Sequence, residues 1–340
     1  MTQVKPLRLK AQRAPKKVTV ASENPIVQVC VDTGVFHLSD TYDYLVPEVL
    51  SDQVQLGVFV KIPFGREEVM GYVQSREPSL LDSKSLKTLS KVISPIPLLT
   101  EELIEIVNLT CERYACKPWD VIRSAIPARA ASVESKFLGQ AIPQISDIKP
   151  KLEHQVSVTK RFEDLPRTIN QILGKLRLDE QLLVIVPDER DIKQLLTFDF
   201  DTEPVLLTSD SSKSDRYKNY LNARFLRSKL IVGNRGSIFT PLVPNSTILI
   251  FNDGDESMYE RRFPSWNVRD IAMLRSGEFS LHFIGASPSL EVIRLAELGW
   301  LKTKKSEKTS SKSKTAIHFS NSSVSDIALM KAGLKKGNVL

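Results

Sequence analysis

The second half of this chain carries apolar runs too short for helices and too continuous for half-exposed strands. Leu182-Leu183-Val184-Ile185-Val186, Leu230-Ile231-Val232-Gly233, Thr247-Ile248-Leu249-Ile250-Phe251 and Leu281-His282-Phe283-Ile284 are four or five residues long. A strand that is apolar at nearly every position has both of its faces covered. Pro204-Val205-Leu206-Leu207 adds a further strand, and helical stretches fall at 163–176, 188–196, 211–226, 267–275 and from Pro288 onward. This alternation predicts a parallel sheet with helices on both faces over 161–301. Ser287 followed by Pro288 predicts the cap and first position of the last helix.

The region 25–98 has a different rhythm. Ile26–Val31, Tyr42–Pro47, Gly57–Gly65 and Val69–Val73 are β-branched and aromatic runs about ten residues apart, broken by Gly, Pro and Asp. That spacing predicts a small β-barrel. A helix is expected over 100–115, capped by Thr100, with Glu101 and Glu102 at its positive end and Leu103, Ile106, Val107 and Leu109 on its buried face. A second helix starts near Pro118 and stops before Pro127, and 128–160 reads as a linker.

The net charge of +7 is concentrated at the ends. Residues 1–17 hold six basic side chains and no acid, and 302–314 hold six lysines against Glu307, whereas 18–301 hold 32 basic and 38 acidic residues. The reading is a basic tail over 1–24 and a Lys/Ser-rich tail over 302–340, able to touch phosphates but equally suited to keeping the chain soluble. No apolar run approaches the ~18 residues of a membrane-spanning helix, and the N-terminus lacks the apolar core of a secretory signal. Cys30, Cys111 and Cys116 are too few for a disulfide framework, which points to a reducing, cytoplasmic setting.

Several segments, taken in order, resemble the PriA family of replication-restart proteins. In the first region these are Tyr42-Asp43-Tyr44-Leu45-Val46-Pro47, Gly57–Arg66, Leu86-Lys87 and the helices over 100–127. In the second they are Leu182–Pro187, Gly233–Pro241, Arg269-Asp270-Ile271-Ala272 and Gly285–Glu291. The resemblance covers about 25–300. It implies a 3′-DNA-binding module over 25–127, followed by the first RecA-like lobe of a helicase. Carried over by position, the pocket for a DNA 3′ end would comprise Asp43, Tyr44, Gly65 and Lys87. A carboxylate accepts from a base amino group or a 3′-hydroxyl, an aromatic ring stacks, glycine admits a close backbone and lysine meets phosphate.

The family's nucleotide chemistry is not legible here. No G-x-x-x-x-G-K-[ST] string occurs, and the expected loop, Glu153-His154-Gln155-Val156-Ser157-Val158-Thr159-Lys160, has no glycine. Where the family carries Asp-Glu-Glu-His, this chain reads Asn252-Asp253-Gly254-Asp255. The neutral Asn252 removes a carboxylate from the Mg²⁺ shell, leaving Asp253 and Asp255 as remnants of the site. The lobe is therefore expected not to hydrolyse ATP. No ATP, Mg²⁺ or zinc is expected in this chain, although the family uses all three. The second lobe with its zinc cysteines would follow about residue 335, so the chain reads as a short or truncated member whose last residues, Lys336–Leu340, begin that lobe.

Other groups have competing readings. Arg235 either contacts single-stranded DNA or pairs with a carboxylate. Tyr259-Glu260-Arg261-Arg262-Phe263-Pro264 interleaves bases and aromatics, as a DNA surface or a docking segment would. Cys111 and Cys116 read as packing, and His282 as a core residue. The functional expectation is a nucleoid-associated replication-restart protein that binds forked and single-stranded DNA. By resemblance, its partners are primosome proteins and single-stranded DNA-binding protein. The alternatives are a helicase with an unconventional nucleotide site, or a primosome scaffold without DNA contact.

Overall fold

The computed structural model describes residues 18–77, 86–140, 151–159, 161–304 and 323–334. Expectations for 1–17, 305–322 and 335–340 lie outside the described residues. Among the described residues, those of 18–304 belong to one compact unit and those of 323–334 to another. Within the second unit, Ser323–Leu334 is helical.

Five strands make the first sheet: β1 (Ile26–Val31), β2 (Thr41–Leu45), β3 (Phe59–Phe64), β4 (Glu67–Glu77) and β5 (Lys91–Ser94). Their order is β2-β1-β4-β3-β5, with every pairing antiparallel. The two edges approach each other. The Leu45 amide donates to the Lys87 carbonyl at 2.8 Å, and the Leu89 amide donates back to Leu45 at 2.9 Å. This short parallel bridge closes the sheet as the predicted barrel requires. Side chains alternate across the pleat, so Val27, Val29, Val31, Tyr44, Val60 and Ile62 fill the interior. Cys30, Phe59 and Tyr72 point outward and meet Trp119.

The helices that follow are α1 (Glu101–Tyr114), α2 (Pro118–Ala125) and α3 (Ala131–Glu134). The Thr100 hydroxyl accepts the Leu103 amide at 3.0 Å, and Ala115 ends α1 in the left-handed conformation. The Trp119 indole donates to the Cys30 carbonyl at 3.2 Å, which fixes α2 on the barrel wall.

The second sheet contains β6 (Gln155–Val158), β7 (Leu182–Ile185), β8 (Val205–Leu207), β9 (Leu230–Gly233), β10 (Thr247–Phe251), β11 (Ser280–Gly285) and β12 (Lys302–Lys304). All pairings are parallel, in the order β12-β6-β11-β10-β7-β9-β8. Helices α4 (Asp164–Leu173), α5 (Glu189–Leu195), α6 (Lys213–Arg224), α7 (Val268–Leu274) and α8 (Leu290–Glu297) connect them. The fold class is the expected one: a β-rich N-terminal module and a parallel α/β lobe. One apolar cluster runs through both, joining Phe59, Tyr72 and Trp119 to Ile231, Phe239 and Phe283. Ion pairing follows the same seam. Arg275 of the lobe, 1% exposed, reaches Glu102 of α1 through Nε at 2.7 Å and Nη2 at 3.1 Å.

Several boundaries differ from the sequence reading. Within 128–160, α3 packs through Val133, Phe137 stacks near Phe225, and β6 is a full strand. Its Gln155 and Ser157 look polar because both bond the buried His282, at 3.2 and 2.8 Å. At the N-terminus, Ala21 is buried and its amide donates to Val46, so the barrel begins before residue 24. Lys302–Lys304 pair with β6 rather than belonging to a tail. Ser289, not Ser287, caps α8: its hydroxyl accepts from the Val292 amide, and its own amide is held by Asp253 at 3.2 Å.

Candidate nucleic-acid interface

Three of the four expected residues lie at the barrel surface, and the fourth is turned inward. Asp43 lies opposite Gln28 in the middle of β2, half-buried, its side chain in no hydrogen bond or ion pair among the described residues. Lys87 is exposed and equally unpaired, on the segment that closes the barrel against Leu45. Gly65 occupies the β3–β4 turn at φ +60°, and a Cβ there would meet nothing within 4 Å. Its requirement is therefore conformational rather than a close approach, and the space beside it stays open.

Tyr44 corrects the stacking expectation. It is 4% exposed, because residues alternate along β2 and its ring falls on the interior side. Its hydroxyl donates to the Pro63 carbonyl at 3.4 Å and ties β2 to the strand that leads into Gly65. Burial raises its pKa above the ordinary value, so the hydroxyl stays a donor. Sequence reasoning missed Tyr42, whose ring meets Phe64 edge-on at 5.1 Å, and Arg66, exposed on the same turn. The i, i+2 spacing of Tyr42 and Tyr44 around Asp43 was the available signal.

In the lobe, ligands of open parallel sheets bind beyond the carboxyl ends of the strands. There, the residues at the expected nucleotide site are engaged by neighbouring groups of the protein. Thr159, directly after β6, is buried and donates to Asp164 at 2.7 Å. Asn252 adopts φ +52°, and Gly285 lies so close that a Cβ would stand 2.6 Å from its Oδ1. Asp253 is buried, holds the Ser289 amide and sits 3.6 Å from Arg269. Asp255 accepts from the Ser257 amide at 2.8 Å, capping a short turn. Three of these side chains thus bond within the protein, and the fourth packs on Gly285. No group of three or more His, Cys, Asp or Glu side chains suited to a metal occurs among the described residues. Arg235 follows the second of its two readings, bonding Glu260 at 3.1 Å. His282 is the core residue expected: burial depresses its pKa to about 3. Among the described residues, no helix is long and apolar enough to cross a membrane.

A closed β-module packed against a parallel α/β lobe defines the class of protein. Residues 28–127 match the model of the PriA 3′DNA-binding domain. The probable replication restart protein PriA of Mycobacterium tuberculosis is 30% identical over 294 residues, covering 78% of this chain and 45% of that protein. The replication restart protein PriA of Rickettsia conorii is 26% identical over 282 residues, covering 76% and 42%. The chain belongs to the PriA family. It spans less than half the length of these relatives. Among solved structures, the C-terminal domain of the DEAD-box protein Dbp5 aligns with a TM-score of 0.32 at 12% identity, covering 45% of this chain and 89% of that one. That score is too low to bear on the fold.

Proposed function

We propose that this chain binds DNA at a replication fork by holding a 3′ end against Asp43, Gly65 and Lys87, with Tyr44 bracing β2 from the barrel interior. The observation that carries the reading is an unpaired carboxylate and an unpaired ammonium. They sit on adjoining segments beside an open glycine turn, within the stretch that matches a 3′DNA-binding domain. Asp43 accepts from the terminal hydroxyl or a base amino group, and Lys87 meets the adjacent phosphate.

On this reading the module runs from about Ala21 to 127, and the lobe runs from β6 to β12, residues 155–304. The lobe acts as a scaffold without ATP turnover, because Asp253 and Thr159 are spent on internal bonds. The setting is the cytoplasm, at the nucleoid, alongside primosome proteins and single-stranded DNA-binding protein. Fluorescence anisotropy with forked DNA tests the pocket. Asp43→Ala lowers affinity about tenfold, while full affinity in that variant overturns the assignment. Phosphate release with saturating single-stranded DNA tests the scaffold role. Turnover that Asp253→Ala abolishes would overturn it.

A further inference from the structure

Helix α1 ends in a turn that brings two thiols together. Ala115 is in the left-handed conformation, and the Ala115 and Cys116 amides both donate to the Cys111 carbonyl, the latter at 3.2 Å. A bond from the residue after a left-handed cap to the residue five before it folds the chain back over the helix end. The side chains of those two residues then meet, commonly as an apolar contact. Here they are Cys111 and Cys116, and their thiols hydrogen-bond to each other. Neither is in a disulfide.

The two thiols are chemically unequal. The Cys111 thiol donates to the Cys116 sulfur, which lowers the Cys116 pKa below the ordinary thiol value and raises that of Cys111. Cys116 is thus the nucleophile of the pair, and Cys111 the group able to attack it in turn. Cys111 is half-buried and Cys116 keeps 8% of its surface exposed, which admits a reagent the size of a peroxide. Cys30 does not compete. It is 1% exposed, and burial pushes its pKa up to about 12, so it stays a thiol.

We propose that Cys111 and Cys116 form a reversible oxidation site, bridged by hydrogen peroxide while the chain stays folded. The Cys116 thiolate attacks one peroxide oxygen, the O–O bond breaks, and the departing hydroxide takes up a proton as water. The Cys111 sulfur then attacks the Cys116 sulfenic acid. An S–S bond forms, and the hydroxyl leaves with the Cys111 proton as a second water. The two thiols give up two electrons and two protons, and the peroxide takes them up. Glutathione, as a thiol, restores the pair by exchange.

The bridge would act on the seam between the two parts of the fold. Between the cysteines lie Arg113, which reaches Asp270 at 3.1 Å, and Tyr114, whose hydroxyl donates to Asp270 at 2.9 Å and accepts from the Asn267 amide at 3.2 Å. Locking this turn holds both side chains on the start of α7, so the oxidised chain resists unfolding better than the reduced one.

Trypsin cleaves after Arg113, between the two cysteines. The reduced full chain, treated with hydrogen peroxide and digested without reductant, should therefore yield the two flanking peptides joined, and dithiothreitol should part them. Cys116→Ser slows thiol consumption about tenfold, whereas Cys111→Ser still reacts and leaves a sulfenic acid that dimedone traps. Cys30→Ala leaves bridge formation unchanged. The urea midpoint of the wild type rises by about 0.5 M on oxidation and returns on reduction, and neither serine variant shows the shift. The peptide map needs no variant. Absence of the joined peptides once the thiols are consumed, a bridge that includes Cys30, or a midpoint that falls on oxidation overturns the proposal.

Discussion

The buried contact between Arg275 and Glu102 makes the fold's two parts energetically dependent on each other. Arg275 makes two bonds to the Glu102 carboxylate, another to the Ile238 carbonyl, and rests 4.6 Å from the centre of the Phe279 ring. Arg275→Ala leaves a largely buried carboxylate, its side chain 11% exposed, and a buried carbonyl without that partner. Breaking one side of a buried pair costs about 3–5 kcal/mol. With a urea m-value of about 3 kcal/mol per molar, the midpoint falls by about 1 M or slightly more. Replacing both partners, as Arg275→Met with Glu102→Leu, removes the stranded charge and recovers most of the loss. Urea unfolding should be followed by tryptophan fluorescence, which reports Trp119 at the barrel together with Trp266 and Trp300 in the lobe, and by circular dichroism, which follows the secondary structure of both parts. Both probes should give one transition that shifts together. A midpoint shift under about 0.3 M, or a double variant no better than the single one, would refute the argument.

Other outcomes follow from single groups. His282 is held neutral by burial, with its pKa lowered from 6.5 to about 3. Between those values the unfolded chain binds a proton that the folded one does not. Stability therefore rises with pH across about pH 3 to 6.5, by up to about 1.4 kcal/mol per unit. His282→Gln should flatten that slope in urea titrations at pH 4.5 and 7. Gly65→Ala forces a side chain to φ +60°, costing about 1–2 kcal/mol, and Gly65→Asn costs less because Asn tolerates that region; thermal melts compare the two. Lys87→Ala should weaken DNA binding uniformly across sequences. It should also reduce the slope of log affinity against log salt by about one, since one phosphate contact is lost.

Much of the lobe was legible because its central strands are covered on both faces, so β7, β9 and β10 read as unbroken apolar runs. Strand β6 was not legible, since Gln155 and Ser157 are polar in order to bond His282, and that partner lies more than a hundred residues away. Likewise Ser287 and Ser289 are indistinguishable as caps until Asp253 is seen holding the Ser289 amide. On β2, strand periodicity contained the answer for Tyr44: residues two apart share a face, so Tyr42 and Tyr44 both face away from Asp43. Whether that shared face was interior depended on the edge-to-edge closure at Leu45, which no local pattern encodes. Arg235 needed its partner's position for the same reason. Glu260 is a plausible neighbour in sequence terms only after the loop beyond β10 folds back over Gly233–Pro241.

The central claim is that the barrel surface recognises the end of a strand, and the terminal hydroxyl itself provides the most direct measurement. Two forks identical except for a 3′-hydroxyl or a 3′-phosphate on the leading strand should be titrated at one salt concentration. A terminal phosphate brings negative charge against Asp43 and removes the hydroxyl donor. The 3′-hydroxyl fork should therefore bind about tenfold tighter, and Asp43→Ala should erase the difference. Equal affinity for the two forks in the wild-type protein would contradict the account.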